Sequence, residues 1–184
     1  SEVKWIFGGE KYEWNEKRDL TNKILKPNSS DFDYAYGQHG VKLIDGLLYV
    51  YDNGNFRHGI SEETNYSRGV IFRIDESDMK VSKVWEYGKE NGNSTFTPYI
   101  GNIEVLDNDY YLINFGGIVI DSNGKITGDV SKVFSPTSKS ETVISEIRNG
   151  EEVLIVKLYD KAYISNSYRV NHFELNPKNL IWNF

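Results

Sequence analysis

At 184 residues the chain is long enough to bury a sizeable core as one ordinary domain, and its 27 acidic against 21 basic residues give a net charge of −6. With no basic run, that balance argues against a nucleic-acid partner. No apolar stretch reaches the length of a membrane span, no signal peptide is visible, and zero cysteines exclude disulfides, thiolate metal sites and cysteine nucleophiles while leaving the compartment open.

Taken in chain order, the elements are mostly strands. The 13 tyrosines, 4 tryptophans and 16 glycines favour strands and tight turns over helices. The best helical candidate, residues Glu13 to Leu25, is short and charged and reads as a surface excursion. Asn28 to Asp33 is a polar loop. Then comes Gly37-Gln38-His39-Gly40, one of three histidines, at the head of an apolar hairpin. The runs Val41 to Ile44 and Leu47 to Tyr51 flank Asp45-Gly46, a two-residue hairpin turn. Val70 to Ile74 and Val81 to Tyr87 make a second hairpin, and Asn102 to Leu106 with Tyr110 to Phe115 a third. Ile118 to Ile120 and Lys125-Ile126 flank Ser122-Asn123-Gly124, and later strands are expected over Val153 to Tyr159 and Tyr168 to Leu175. The fold class expected is all-β.

The run Lys4-Trp5-Ile6-Phe7-Gly8-Gly9 is echoed by Val84-Trp85-Glu86-Tyr87-Gly88-Lys89, and more weakly by Leu180 to Phe184. Four strands in two hairpins lie between the first two copies. Four antiparallel strands per unit with an aromatic signature on the last is the pattern of a β-propeller blade. Blades of about 40 to 50 residues allow this length about three, too few for a closed ring. Residues 1–184 therefore read as a single partial β-propeller segment of a larger protein. The chain does not open on methionine, its only one being Met79, which fits a processed or cut product. An open arc would leave sheet surfaces uncovered where the remaining blades of the parent chain would pack.

His39 has two readings on residue pattern alone: a hydrogen-bonded strand-end histidine, or a reactive imidazole to which flanking glycines admit a ligand. The ordered set Trp5-Ile6-Phe7-Gly8-Gly9, Gln38-His39, Tyr51-Asp52-Asn53-Gly54-Asn55, Asn65-Tyr66-Ser67-Arg68, Phe72 to Asp75 and Val84 to Glu90 resembles the bacterial arylsulfate sulfotransferases over roughly Lys4 to Phe115. A further echo is Ser167-Tyr168-Arg169. The resemblance implies the C-terminal portion of a six-bladed propeller that moves a sulfuryl group from an aryl sulfate to a phenol without a nucleotide donor or other cofactor. It implies that His39 is the catalytic nucleophile, forming a sulfohistidine by in-line attack. Partners that hold the sulfuryl oxygens would lie on earlier blades, so the piece alone is expected to be inactive or nearly so. A threonine of the family falls at Ile100, with Thr97 close by. Family location would be the periplasm or the cell surface.

For substrate binding, Arg68 is a candidate to face an anion and equally to anchor the loop from Asn55, while Tyr168 is a candidate for the acceptor pocket. His58 and His172 read as a loop residue and a structural strand residue. Asp52 to Asn55 and Asp121 to Gly124 read as turns rather than calcium loops, since neither continues to a terminal glutamate. Glu62-Glu63 reads as solvated, and no metal-spaced histidines or Ser-His-Asp arrangement stands out. The alternative function is a non-catalytic propeller module that uses aromatic residues for glycan or protein contacts.

Overall fold

The computed structural model describes residues 2–8, 20–57, 59–159 and 165–171. Nine strands are found there: β1 (Lys26–Pro27), β2 (His39–Ile44), β3 (Leu47–Asp52), β4 (Arg68–Asp75), β5 (Lys80–Tyr87), β6 (Asn102–Asp107), β7 (Tyr110–Ile120), β8 (Lys139–Arg148) and β9 (Glu151–Leu158). The helical elements among the described residues are short 3-10 turns, so the all-β class is observed. The first sheet runs β1-β5-β4-β3-β2 and the second β6-β7-β8-β9. All neighbours are antiparallel except the two-residue β1, which pairs in parallel with β5.

The turns explain the connectivity. Asp45 and Gly46 both have positive φ (49° and 75°), the twist that lets a two-residue loop join right-twisted strands β2 and β3. Asn149 and Gly150 (53° and 80°) do the same between β8 and β9. The expected first, second and third hairpins are thus present with the registers Ile44↔Leu47, Asp75↔Lys80 and Asp107↔Tyr110.

Each sheet contributes to a core between the two. Tyr49, Tyr51 and Ile71 of the first sheet meet Ile103, Tyr111, Ile113, Phe115, Ile118, Val143 and Ile147 of the second. The other face of the first sheet packs Leu48, Val50, Val70, Phe72, Ile74 and Val81 against Leu25, Trp5 and Phe7. Strand β3 therefore buries both faces, which is why Leu47 to Tyr51 is a continuous apolar run. In β5 an extra residue, Val84, stands between the pairs Ile71↔Trp85 and Phe72↔Lys83. That bulge turns Val81 to one face and Trp85 and Tyr87 to the other. The two Trp-centred runs then play matching parts: Phe7 packs on Phe72 of the first sheet (4.8 Å between centroids), and Trp85 on Tyr111 of the second (4.7 Å).

Several expectations need correction. Ile118 to Ile120 is not a separate hairpin arm but the end of β7, which continues past a bulge between Phe115 and Ile118. Its link to Ile126 is a single bridge. Glycines 116 and 117 sit at that bulge because neighbours leave no room for a Cβ: one built on Gly116 would lie 2.0 Å from the Ser167 carbonyl oxygen. Strand β8 lay outside the expected elements altogether. Within the range expected to be helical, only Thr21–Lys23 forms a 3-10 turn, and residues 13–19 lie outside the described residues. Tyr168 to Asn171 is not a strand, while residues 172–175 and the third aromatic echo at 180–184 also lie outside.

Removing the Phe115 ring, fully buried where the two sheets meet, is expected to cost about 3–5 kcal/mol in Phe115→Ala. The measurement is a lower urea midpoint with an unchanged slope.

Candidate functional site

The residues around His39 are assembled by backbone turns before any side chain takes part. Gly37 (φ 67°) and Gly40 (φ 58°) bracket it in left-handed conformations, and β2 carries an extra residue between His39↔Tyr51 and Lys42↔Tyr49. A Cβ on Gly40 would stand 3.0 Å from that of Asn102, so the head of β2 presses against the head of β6. The imidazole is half-buried there. Its Nδ1 lies 2.6 Å from Asn53 Oδ1 and 3.3 Å from the Gly37 carbonyl oxygen.

Asn53 is itself fully buried just past the end of β3. Its Nδ2 donates to the carbonyl oxygens of Thr97 (2.8 Å) and Ile100 (2.9 Å). The loop 97–100 is fastened further: Asn55 Nδ2 donates to Pro98 O, Thr97 N donates to Ser67 Oγ at 2.8 Å, and the Thr97 hydroxyl pairs with that of Tyr51. Burial pushes the Tyr51 hydroxyl well above the usual tyrosine range, so it stays a neutral hydrogen-bonding group. Ile100 has φ 50°, a left-handed conformation that a β-branched residue adopts at a cost of about 1–3 kcal/mol. The position where the family threonine was expected is therefore occupied by a strained residue whose carbonyl accepts from Asn53.

One residue earlier, Asp52 organises an ion-pair cluster. Its Oδ1 accepts the N–H groups of Tyr36 (2.8 Å) and Gly54 (2.9 Å), and its Oδ2 accepts Arg57 Nη2 (2.8 Å) and Arg68 Nε (2.9 Å). Arg68 also donates to Glu86 and to the carbonyls of Asp33 and Tyr34 (3.1 and 3.0 Å), while Arg57 Nη1 reaches Asp33 at 2.7 Å. Burial works against the Arg68 charge, but Asp52, Asp33 and Glu86 hold its pKa above the ordinary value. The Arg68 side chain is 0% exposed. The segment it holds is not the loop from Asn55 that the sequence suggested: it ties residues 33–36, which lead into His39, to the sheet.

Tyr168 is 66% exposed on a segment docked against the second sheet. Asn102 exchanges two hydrogen bonds with the Val170 backbone (2.8 and 2.9 Å), Asn114 donates to Ser167 O, and Ser167 N donates to Gly116 O. Because Asn102 also borders Gly40, the segment carrying Tyr168 and Arg169 lies at the same end of the molecule as His39. His58 and His172 lie outside the described residues. Asp121 caps its own turn through Asn123 N and Lys125 N, as the turn reading requires. Glu62, expected to be simply solvated, also accepts from Thr127 and Gly128 and so joins two loops. Among the described residues no cluster of His, Asp and Glu fit to hold a metal is present. The sequence reading missed the polar partners Asn53 and Thr97 as a unit; the turn triplet was visible, but not the loop 44 residues away that its side chain meets.

A family model described as Arylsulfotransferase (ASST) matches residues 1–169. Among similar proteins, arylsulfate sulfotransferase AssT of Escherichia coli O6:H1 is 34% identical, over 64% of this chain and 23% of the relative. The protein of the same description from Lelliottia amnigena is 34% identical, over 64% of this chain and 22% of its own length. The chain thus spans less than a quarter of the curated relatives it matches.

Arg68→Met is expected to destabilise the fold by about 3–5 kcal/mol, because it strands buried carboxylate charge; chemical denaturation reads this. Glu86 gives a pH-dependent companion. Burial would raise its pKa, but Lys83 and Arg68 outweigh that and hold it below the usual glutamate value. Its contribution is therefore present above the unfolded-state pKa and is lost as pH falls through the lower native one. Glu86→Gln should lower stability at neutral pH and flatten the acid limb of the stability curve.

Proposed function

The chain belongs to the arylsulfotransferase family, and from that premise we propose that its parent protein carries a sulfuryl group from an aryl sulfate to a phenolic acceptor with His39 as nucleophile. The observation that carries the reading is the setting of His39. A half-buried imidazole stands at a strand head, anchored on Nδ1, and no described residue hydrogen-bonds its Nε2.

The chemistry balances in two displacements. Nε2 attacks sulfur in line, the N–S bond forms, and the S–O bond to the aryl group breaks with its electron pair leaving on the phenolate. The acceptor oxygen then attacks the same sulfur, the N–S bond breaks back onto Nε2, and the acceptor's proton passes through solvent to the departed phenolate. Charge on the sulfuryl oxygens requires converging donors. In this reading they come from parts of the parent beyond this chain. Isolated, residues 1–184 would transfer sulfate poorly or not at all. Tyr168, exposed on the segment docked beside the head of β6, is assigned to the acceptor's aromatic ring, and Arg68 to the scaffold that holds the 33–36 segment.

The two four-stranded meanders, β2 to β5 and β6 to β9, are read as adjacent blades of one partial propeller segment. Each is a simple up-and-down sheet, they pack face to face, and each is preceded by an aromatic run lying on it. The exposed apolar residues of β9, Val153 to Val156 and Leu158, are where a further blade of the parent would pack. Export to the periplasm or cell surface accompanies the reading. No described helix is long and apolar enough to cross a membrane.

The test uses the full-length parent with a phenyl sulfate donor and a phenol acceptor. The expected result is transfer that falls to the uncatalysed background in His39→Asn, with acid-labile sulfate on His39 of the wild type after donor alone. Transfer that survives the substitution would place the nucleophile elsewhere.

A further inference from the structure

Resting on the assignment of His39 as nucleophile, we propose that Asn53 is a positioning residue that fixes the neutral imidazole with its proton on Nδ1, leaving Nε2 as the attacking lone pair. The argument starts from the amide, whose two ends look alike in shape but not in chemistry. One end of Asn53 meets two backbone carbonyl oxygens, of Thr97 at 2.8 Å and Ile100 at 2.9 Å. Carbonyls only accept, so that end is the NH2 group and both its protons are committed. The other end is therefore an oxygen, also an acceptor only. Reversing the amide would set an oxygen against two oxygens and leave an NH2 facing the imidazole.

It follows that the ring nitrogen 2.6 Å from Asn53 Oδ1 is the one that bears hydrogen. The Gly37 carbonyl, 3.3 Å from the same Nδ1, is a second acceptor and demands the same assignment. Two independent acceptors face Nδ1, and no described residue donates to it. The lock is rigid because its own partners are fixed: Thr97 by Ser67 and Tyr51, and Ile100 by a left-handed backbone conformation that turns its carbonyl inward. Asn53 is fully buried, so water does not compete for its amide.

The choice of a neutral amide has a chemical consequence on both displacements. In the first, a proton held on Nδ1 keeps the lone pair on Nε2, the nitrogen to which no described residue hydrogen-bonds. In the second, the sulfated ring keeps its Nδ1 proton, because an amide oxygen is too weak a base to remove it. The ring therefore leaves as neutral imidazole when the N–S bond breaks, which is a better leaving group than an imidazolate. A carboxylate in the same place would favour imidazolium before attack and would draw off the proton after it.

The first readout is independent of turnover. Long-range nitrogen–proton NMR of His39 in the 184-residue chain, followed through its titration, is expected to show the neutral ring with Nδ1 protonated and Nε2 bare, and Asn53→Ala to show a mixture of the two tautomers. Nε2 protonated in the neutral wild-type ring, or an unchanged tautomer in Asn53→Ala, would overturn the proposal. Because the wild-type spectrum decides the first point, the proposal stays exposed even where a variant folds badly. In the full-length parent, Asn53→Ala is expected to lower kcat about tenfold to a hundredfold with little change in KM. Asn53→Asp is expected to keep the Nδ1 proton but move the acidic limb of the rate–pH profile upward. A rate loss in Asn53→Asp with an unmoved pH profile would count the residue as merely structural and overturn its positioning role. The two readings fail separately: sulfate transfer through His39 by a ring protonated on Nε2 removes this proposal alone, and an Nδ1-protonated ring that never takes up sulfate removes the nucleophile assignment alone.

Discussion

The carboxylate of Asp52 is buried at the end of β3 and is compensated from both sides. Two arginines meet one of its oxygens and two backbone N–H groups the other. A carboxylate in such a place is tolerable only if every lone pair is engaged, because the cost of removing it from water exceeds what one partner returns. The partners it requires come from three stretches of chain: Tyr36 before β2, Gly54 and Arg57 after β3, and Arg68 at the start of β4. Satisfying Asp52 therefore places the loop entering β2, the turn leaving β3 and the first residue of β4 at one point. The position of His39 follows from this arrangement, since only Gly37 and Gln38 separate it from Tyr36.

How much of this can be read from sequence depends on how local each cause is. The Asp45-Gly46 hairpin is legible because two adjacent residues carry the whole turn, and β3 because burial on both faces demands an unbroken apolar run. Strand β8 is hidden for the opposite reason. Its buried positions include Ser140, Thr142 and Ser145 on alternate faces beside Val143 and Ile147, so polar residues break up the apolar pattern. The Asn149-Gly150 turn that closes it was a readable signal that its polar flanks obscured. Bulges at Val84 and at Gly116-Gly117 each shift side-chain alternation by one residue, and periodicity has no way to anticipate that.

The candidate site divides along the same line. His39 stands out because its glycine neighbours are adjacent in sequence. Asn53 reads as the middle of a turn triplet, and its turn role is real, but its side chain works through carbonyls at positions 97 and 100. Arg68 illustrates the limit of residue type: an arginine before a strand suits an anion or an anchor equally, and its enclosure by Asp52, Asp33 and Glu86 depends on residues distant in sequence. Tyr168 is brought to the His39 end by hydrogen bonds from Asn102 and Asn114, polar residues inside strands that look apolar on average. The candidate site thus sits at strand ends and on the segments that join them, and the sheets supply the rigid frame.

Successive residues at the end of β3 take up different electrostatic tasks. Asp52 enters the ion-pair cluster, and Asn53, one residue on, is hydrogen-bonded to the imidazole. In the cluster, the carboxylates of Asp33, Asp52 and Glu86 are paired with Arg57, Arg68 and Lys83, three charges of each sign. The arrangement is therefore nearly neutral as a whole, even though the chain carries a net charge of −6. Under the proposed sulfuryl-transfer reading this balance has a use. Uncompensated carboxylates so close by would repel the anionic donor across a low-dielectric path, whereas paired ones present little field beyond their own contacts. A neutral amide against the imidazole completes the same logic. Orientation is supplied by hydrogen bonds, and no negative charge is placed where an anion has to approach.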